Sequence, residues 1–371
     1  VTSEPGSKGT PMARRRFIQG SAALVSTVAI SAAATPTLLR ARADPVRPQV
    51  PVPVPDTDSE LSAQLRRGQP LPASDGGDLL VLNYHKVFGD LNPPPALGNI
   101  ISVTASQLMS HLMMLRSAGF TSVRLADVVR ARAQGATLPP RSVLITFDDG
   151  TAGQWISADA VLRQAGFTAV TFLITSYVGR APFVNWREVR AMVASGRWEV
   201  GDHTHNDHHV VPSGPAMPLT SSLITRAWNP RTRTMETLTG AEARVRSDLL
   251  QSLTTLQTQG LTRPLAFAYP FSKVDGPTND RRLSDYVEQA LASLFPLRFT
   301  NYSPCRLVSP AELAVGLLPR LEVHRPVSAL ELYEQIRAAS MVVKSPTVEV
   351  LRNQVPAQGL GHNHTHTRPL Q

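Results

Sequence analysis

Five apolar runs of strand length punctuate this chain: Leu79-Leu80-Val81-Leu82-Asn83-Tyr84, Ser142-Val143-Leu144-Ile145-Thr146-Phe147, Ala169–Ile174, Trp198–Gly201 and Leu265–Tyr269. They run apolar with little alternation, as strands covered on both faces do, and a half-exposed sheet would alternate instead. Between them lie stretches of helical spacing, Ser106–Ala118, Ala158–Gln164, Asn185–Ser195 and Ala241–Gln257, the first three stopped by Gly119, Gly166 and Gly196. Strand and helix in alternation predict an α/β domain with parallel strands. Polar residues gather just after the strands, at His85, Asp148-Asp149, His203 onward and Pro270-Phe271. In parallel α/β folds the carboxyl ends of the strands carry the chemistry. The function should therefore be sought at those four places.

The termini are of another character. Ala13-Arg14-Arg15-Arg16-Phe17 precedes a mildly apolar run from Gly20 to Ala34, and Ala41-Arg42-Ala43 offers small residues at a cleavage site. Residues 1–43 thus read as a twin-arginine-type export signal, placing the mature protein in the periplasm or outside the cell. The serines in the run make it a poor membrane span. Whole, the 371-residue chain carries a net charge of +9; cleavage after Ala43 leaves 31 basic and 27 acidic groups, or +4. The basic excess belongs largely to targeting, and no basic stripe interleaved with aromatics argues for nucleic acid. Residues 44–77 are Pro-rich and read as an extended linker, 78–345 as the folded domain, and 346–371 as a disordered tail ending in His362, His364 and His366. The segment 213–240, rich in Thr, Ser and Pro, reads as a long loop near the site.

One cysteine, Cys305, excludes an internal disulfide framework and multi-cysteine metal sites. Any metal must be held by histidine and carboxylate. Two segments offer them. Asp148-Asp149-Gly150 puts adjacent carboxylates at a strand end before a tight turn, and neighbouring side chains point to different sides of the backbone. One is free to hold a metal while the other addresses a water. A bare Asp-Asp-Gly is also a common surface turn. Gly201-Asp202-His203-Thr204-His205-Asn206-Asp207-His208-His209 has four histidines in seven residues directly after a strand, a donor set suited to zinc or a similar divalent ion.

Taken in order, Tyr84-His85, Phe147-Asp148-Asp149-Gly150, Gly201-Asp202-His203-Thr204 and Phe267-Ala268-Tyr269-Pro270-Phe271 resemble carbohydrate esterase family 4, the polysaccharide deacetylases. The resemblance covers roughly residues 79–345. The histidine spacing of five, His203 to His208, together with Asn185–Arg190, is similar to the branch that acts on poly-β-1,6-N-acetylglucosamine of biofilms. The resemblance implies a distorted (β/α) barrel, Asp149, His203 and His208 as metal ligands, and Asp148 as the base that deprotonates a water. It also implies hydrolytic N-deacetylation of an N-acetylglucosamine polymer, with peptidoglycan or chitin as alternative substrates and a non-catalytic glycan binder as the alternative class; an association with the cell envelope would fit such substrates. Phe271 follows Pro270, which has no N–H, so the Phe271 amide is the expected oxyanion donor. His85 is expected to line the cleft. The third block lacks the family's Arg and Gly, and the late Leu-x-His motif that supplies a general acid is matched only loosely by Arg320-Leu321-Glu322-Val323-His324, so His324 is the expected acid. His205 and His209 stand near enough in sequence to replace His208. Trp155 and Trp186 are read as packing residues, with stacking on a sugar ring as the alternative.

Overall fold

The computed structural model describes residues 45–49, 70–74, 76–91, 101–272, 278–301 and 304–343. The expected export signal, most of the expected linker and the expected tail lie outside these residues.

Seven parallel strands close into a barrel: β1 Leu79–Tyr84, β2 Ser142–Phe147, β3 Ala169–Leu173, β4 Trp198–Asp202, β5 Ala266–Ala268, β6 Leu297–Asn301 and β7 Leu317–Glu322. Each pairs with its neighbour in sequence, and β1 closes the ring by pairing with β2 on one side and β7 on the other. A two-residue strand, Thr121–Ser122, adds to the outer edge of β2. This is the (β/α) barrel that the family resemblance implied, built from the parallel strands that the apolar runs predicted.

Helices wrap the outside, and local chemistry explains where they start and stop. α1 (Ala105–Ser117) begins where Thr104 accepts the Gln107 N–H, and α2 (Leu125–Gln134) ends at a left-handed Gly135. α3 (Asp159–Ala165) continues a π-helical turn, Gln154–Ala158, and ends at Gly166. α4 (Trp186–Ala194) opens with a reciprocal capping box between Asn185 and Glu188. α5 (Leu238–Thr258), α6 (Arg281–Leu294), α7 (Pro310–Val315) and α8 (Ala329–Val343) complete the set. Among the described residues, no helix is long and apolar enough to cross a membrane.

The barrel interior is layered. Leu79, Val81, Leu144, Val170, Phe172, Leu297, Phe299 and Leu318 form one buried apolar cluster, joined by Leu125 and Val128 of α2. One step further along the strands the same inward positions turn polar: Asn83, Thr146, Asn301 and Arg320. Because side chains alternate across a strand, this change is confined to the carboxyl end. It sets a polar floor beneath the site.

Two regions differ from the sequence reading. Pro45–Gln49 lies against the barrel instead of standing off it as a spacer. Arg47 donates to the buried Glu188 through Nε at 2.7 Å and through its backbone N–H at 3.0 Å, and Trp155 Nε1 donates to the Arg47 carbonyl at 2.7 Å. The buried carboxylate gains a cation there, which proline content alone cannot reveal. The segment 213–240 is also more ordered than a loop: Val210–Pro212 pairs with Leu219–Ser221, and Trp228–Asn229 with Thr234–Met235.

Candidate metal centre

The β2 strand delivers Asp148 and Asp149 to the carboxyl rim with opposite outlooks. Asp149 sits at φ 72°, a left-handed conformation that Asp tolerates better than most residues. Gly150 follows at φ 71°, and a Cβ there would come 2.6 Å from the Leu173 side chain, so the turn needs its glycine. Asp148 points back into the barrel and is 2% exposed.

Asp149, His203 and His208 bring one ligand atom each to within 4.8 Å of one another. Asp149 Oδ1 lies 3.7 Å from His203 Nε2 and 3.4 Å from His208 Nε2. His203 Nδ1 is 2.8 Å from the Ala268 carbonyl, so it must be the protonated nitrogen, and Nε2 keeps its lone pair for the centre. Burial lowers the His203 pKa to about 4 despite the neighbouring Asp148, so the ring is neutral as a ligand must be. Among the described residues Asp149 Oδ1 is buried with no hydrogen-bond partner. An orphaned carboxylate oxygen facing two imidazole nitrogens fits a divalent cation. The donor set, two nitrogens and one oxygen, suits zinc and its neighbours and leaves a coordination position for water.

Asp148 is held differently. Arg320 grips it bidentately, NH1 to Oδ1 at 2.8 Å and NH2 to Oδ2 at 2.7 Å, and Asn83 Nδ2 donates to Oδ2 at 3.0 Å. Arg320 is itself fully buried and placed by Asn301 Oδ1 at 3.0 Å. Burial alone would raise the Asp148 carboxyl; the Arg320 charge, with His203 and His85 nearby, outweighs it and holds the pKa well below the usual range. Asp148 is thus ionised at neutral pH and turned away from ligation. Gln154, at the start of the π-turn, donates to the carbonyls of Asp148 at 2.7 Å and His85 at 3.3 Å, fixing both rim segments.

His85 and His324 flank one carboxylate. His85 Nε2 lies 3.8 Å from Asp148 Oδ2 and 3.7 Å from Glu322 Oε1, while His324 Nε2 lies 2.9 Å from Glu322 Oε2. The bond to Glu322 raises the His324 pKa. His85 is therefore beside the central carboxylates, and His324 meets the site through Glu322. Phe271 has φ 58°, a strained value for an aromatic residue, and its ring lies 4.7 Å from that of His208. His205 and His209 turn elsewhere: His205 Nδ1 meets Thr175 Oγ1 at 2.9 Å, and His209 Nδ1 meets the Asn206 carbonyl at 3.2 Å.

Five groups here escaped the sequence reading as site residues: Arg320, Glu322, Asn83, Asn301 and Gln154. A signal existed for three of them. Asn83 interrupts a continuous apolar strand, and Arg320 and Glu322 alternate with apolar residues in Leu317–Glu322. Polar side chains at inward barrel positions near the carboxyl end belong to the site.

A parallel barrel whose carboxyl rim joins an Asp-His-His cation site to an ionised, arginine-held carboxylate has the parts of a metal-dependent hydrolase. Residues 135–288 match the family described as polysaccharide deacetylase. It is 25% identical over 238 residues to the poly-beta-1,6-N-acetyl-D-glucosamine N-deacetylase of Escherichia coli strain K12, covering 60% of this chain and 34% of that protein. It is 30% identical over 148 residues to the enzyme of the same name from Staphylococcus aureus strain MRSA252, covering 35% of this chain and 49% of that protein. The alignments thus span about a third to a half of these curated relatives. Among solved structures, a de-N-acetylase from Aggregatibacter actinomycetemcomitans superposes with a TM-score of 0.60 at 22% identity, over 70% of this chain and 99% of that one. That likeness concerns the fold.

Proposed function

We propose that this protein is an exported, metal-dependent N-deacetylase of an N-acetylglucosamine polymer, with the β-1,6-linked polymer as substrate. The observation that carries the reading is the division of labour between adjacent carboxylates: Asp149 Oδ1 orphaned beside two imidazoles, Asp148 tied to Arg320 and Asn83. Relatives named for poly-β-1,6-N-acetylglucosamine support the linkage. The signal-like pattern of residues 1–43 supports export. Zinc is the ion favoured by the two-nitrogen, one-oxygen donor set.

When bound by Asp149, His203 and His208, the metal supplies Lewis acidity, polarising the acetamide carbonyl and acidifying a water. The protein does the rest. Asp148 Oδ1 accepts from Arg320 NH1, while Oδ2 accepts from both Arg320 NH2 and Asn83, so Oδ1 keeps a lone pair to receive the proton of the attacking water. The Phe271 amide donates to the oxyanion, set by the strained turn after Pro270. Nitrogen leaves as an amine and must gain a proton. His85 is better sited to give it than His324, because its Nε2 stands within 3.8 Å of Asp148, whereas His324 is engaged on the far oxygen of Glu322. Glu322 then steadies both rings.

The test is acetate release from defined oligomers of β-1,6- and β-1,4-linked N-acetylglucosamine by zinc-loaded protein. Release from the β-1,6 oligomer, with the β-1,4 oligomer slower, is expected. Faster release from the β-1,4 oligomer would move the substrate to chitin or peptidoglycan, and binding without release would leave a glycan-binding protein.

A further inference from the structure

The loop 203–209 holds two candidates for the third ligand in adjacent positions. His208 is five residues from His203, and Asp207 is four. The ligand group contains His208, whose Nε2 lies 3.4 Å from Asp149 Oδ1, and not Asp207. Both residue types bind divalent metals well, and Asp207 is 3% exposed, on the same stretch of chain. Something must settle which of them reaches Asp149.

The side chain that holds Asp207 comes from α5. Arg244 NH1 donates to Asp207 Oδ2 at 2.7 Å. The same guanidinium is fixed from behind by Glu236, Nε to Oε1 and NH2 to Oε2 both at 3.1 Å, and by the Thr225 carbonyl at 3.1 Å. A rigid fork braced on two sides cannot follow the loop if it turns. One helical turn on, Asp248 accepts the His205 N–H at 2.8 Å and the Asn206 N–H at 2.7 Å. Positions four apart lie on one helix face, so α5 grips the loop at both its charge and its backbone. With Asp207 drawn outward to Arg244, the next side chain turns inward.

We propose that Arg244 is a positioning residue that selects the metal ligand: it sequesters Asp207, so that His208 completes the set with Asp149 and His203. The inference rests on the metal-site reading above. Without Arg244, a buried carboxylate with no fixed cation stands one residue from a cation site. It is attracted to that site, and every step it takes inward rotates His208 out.

Mechanical support and ligand selection make different predictions in a double-mutant cycle. Zinc affinity is measured on metal-free protein by competition with a chelating dye, alongside thermal melting of the metal-free forms. Arg244→Gln should weaken zinc binding about 10–100-fold, the range for losing an outer contact of a metal site. Asp207→Asn should restore it: in that background Arg244→Gln should leave zinc affinity near wild type, because the competing charge is gone. Wild-type zinc affinity in Arg244→Gln overturns the proposal, and so does a double variant as weak as Arg244→Gln. Arg244→Lys, which keeps a cation beside Asp207 and gives up the fork to Glu236, covers the case in which Arg244→Gln does not fold. It should hold zinc far better than His208→Ala, and equal weakness in the two would refute ligand selection. If the wild type takes up no stoichiometric zinc, the metal-site reading itself fails, a result separate from any behaviour of Arg244.

Discussion

Replacing Arg320 with methionine removes the cation from a carboxylate that has nowhere else to turn. Side-chain exposure is 0% for Arg320 and 3% for Asp148, so solvent cannot substitute for the lost partner. Two charge-assisted bonds at 2.7 and 2.8 Å vanish and, among the described residues, the 3.0 Å side-chain bond from Asn83 is the one that remains. Breaking a buried pair from one side costs about 3–5 kcal/mol, because the surviving charge stays buried. The pH dependence gives the sharper signature. In the wild type the Asp148 pKa is depressed below its unfolded value, so its stabilisation is complete above about pH 4 and fades as pH falls through the lower native value. In Arg320→Met the largest opposing charge is gone, and burial should push the native pKa above the unfolded one. The variant's deficit should then be full at neutral pH and shrink as pH falls toward 4. The acid limb of kcat/KM should move to higher pH, because the base protonates earlier. Urea unfolding of metal-free protein at intervals between pH 4 and 8 measures the first effect, and a pH–rate profile the second. A deficit below about 1 kcal/mol at pH 7, no larger than a surface ion pair, would refute the argument, as would a deficit that does not change with pH.

Other perturbations separate the remaining roles. Asp148→Asn should keep zinc at full occupancy while kcat falls by about 10²–10⁴, whereas Asp149→Asn should bind zinc weakly and recover part of its activity when zinc is added; exchanged phenotypes, read by metal analysis and acetate release, would reverse base and ligand. His208→Ala should lose stoichiometric zinc, and His205→Ala should keep it, since His205 is turned to Thr175; the opposite result would move the third ligand. Lys-Lys in place of Arg14-Arg15 should leave the precursor in the cytoplasm on fractionation, and normal export of that variant would remove the twin-arginine assignment.

Most of the barrel was legible because its strands are buried on both faces and so declare themselves as apolar runs with definite ends. The predicted spans of β1 and β2 coincide with the observed strands, and α1 and α4 agree to within a residue at each end. The glycines after the helices did the same work at the other boundary. What stayed hidden depends on which residues the closed barrel brings together across long separations. Asp148 and Arg320 are 172 positions apart, and Asn83 and Asn301 are 218. No local periodicity connects them. The proposed metal ligands could be named because two segments, each dense in one residue type, supply the donors, and the family resemblance chose among them. Arg320 arrives alone, in a strand whose neighbours are apolar, and its purpose appears only once β7 lies beside β1.

The same distinction explains the difference between the two acid candidates. A motif search looks forward along the chain for a late histidine and finds His324. The ring closure, however, sets the end of the first strand beside the end of the last, with Asn83 in register with Glu322. His85, at the start of the domain, therefore reaches the same carboxylate as His324, at its end. In a closed barrel the order of residues along the chain does not order them around the site. The histidine that follows β1 stands 3.8 Å from Asp148, the proposed base, because the ring closes β1 against both β2 and β7.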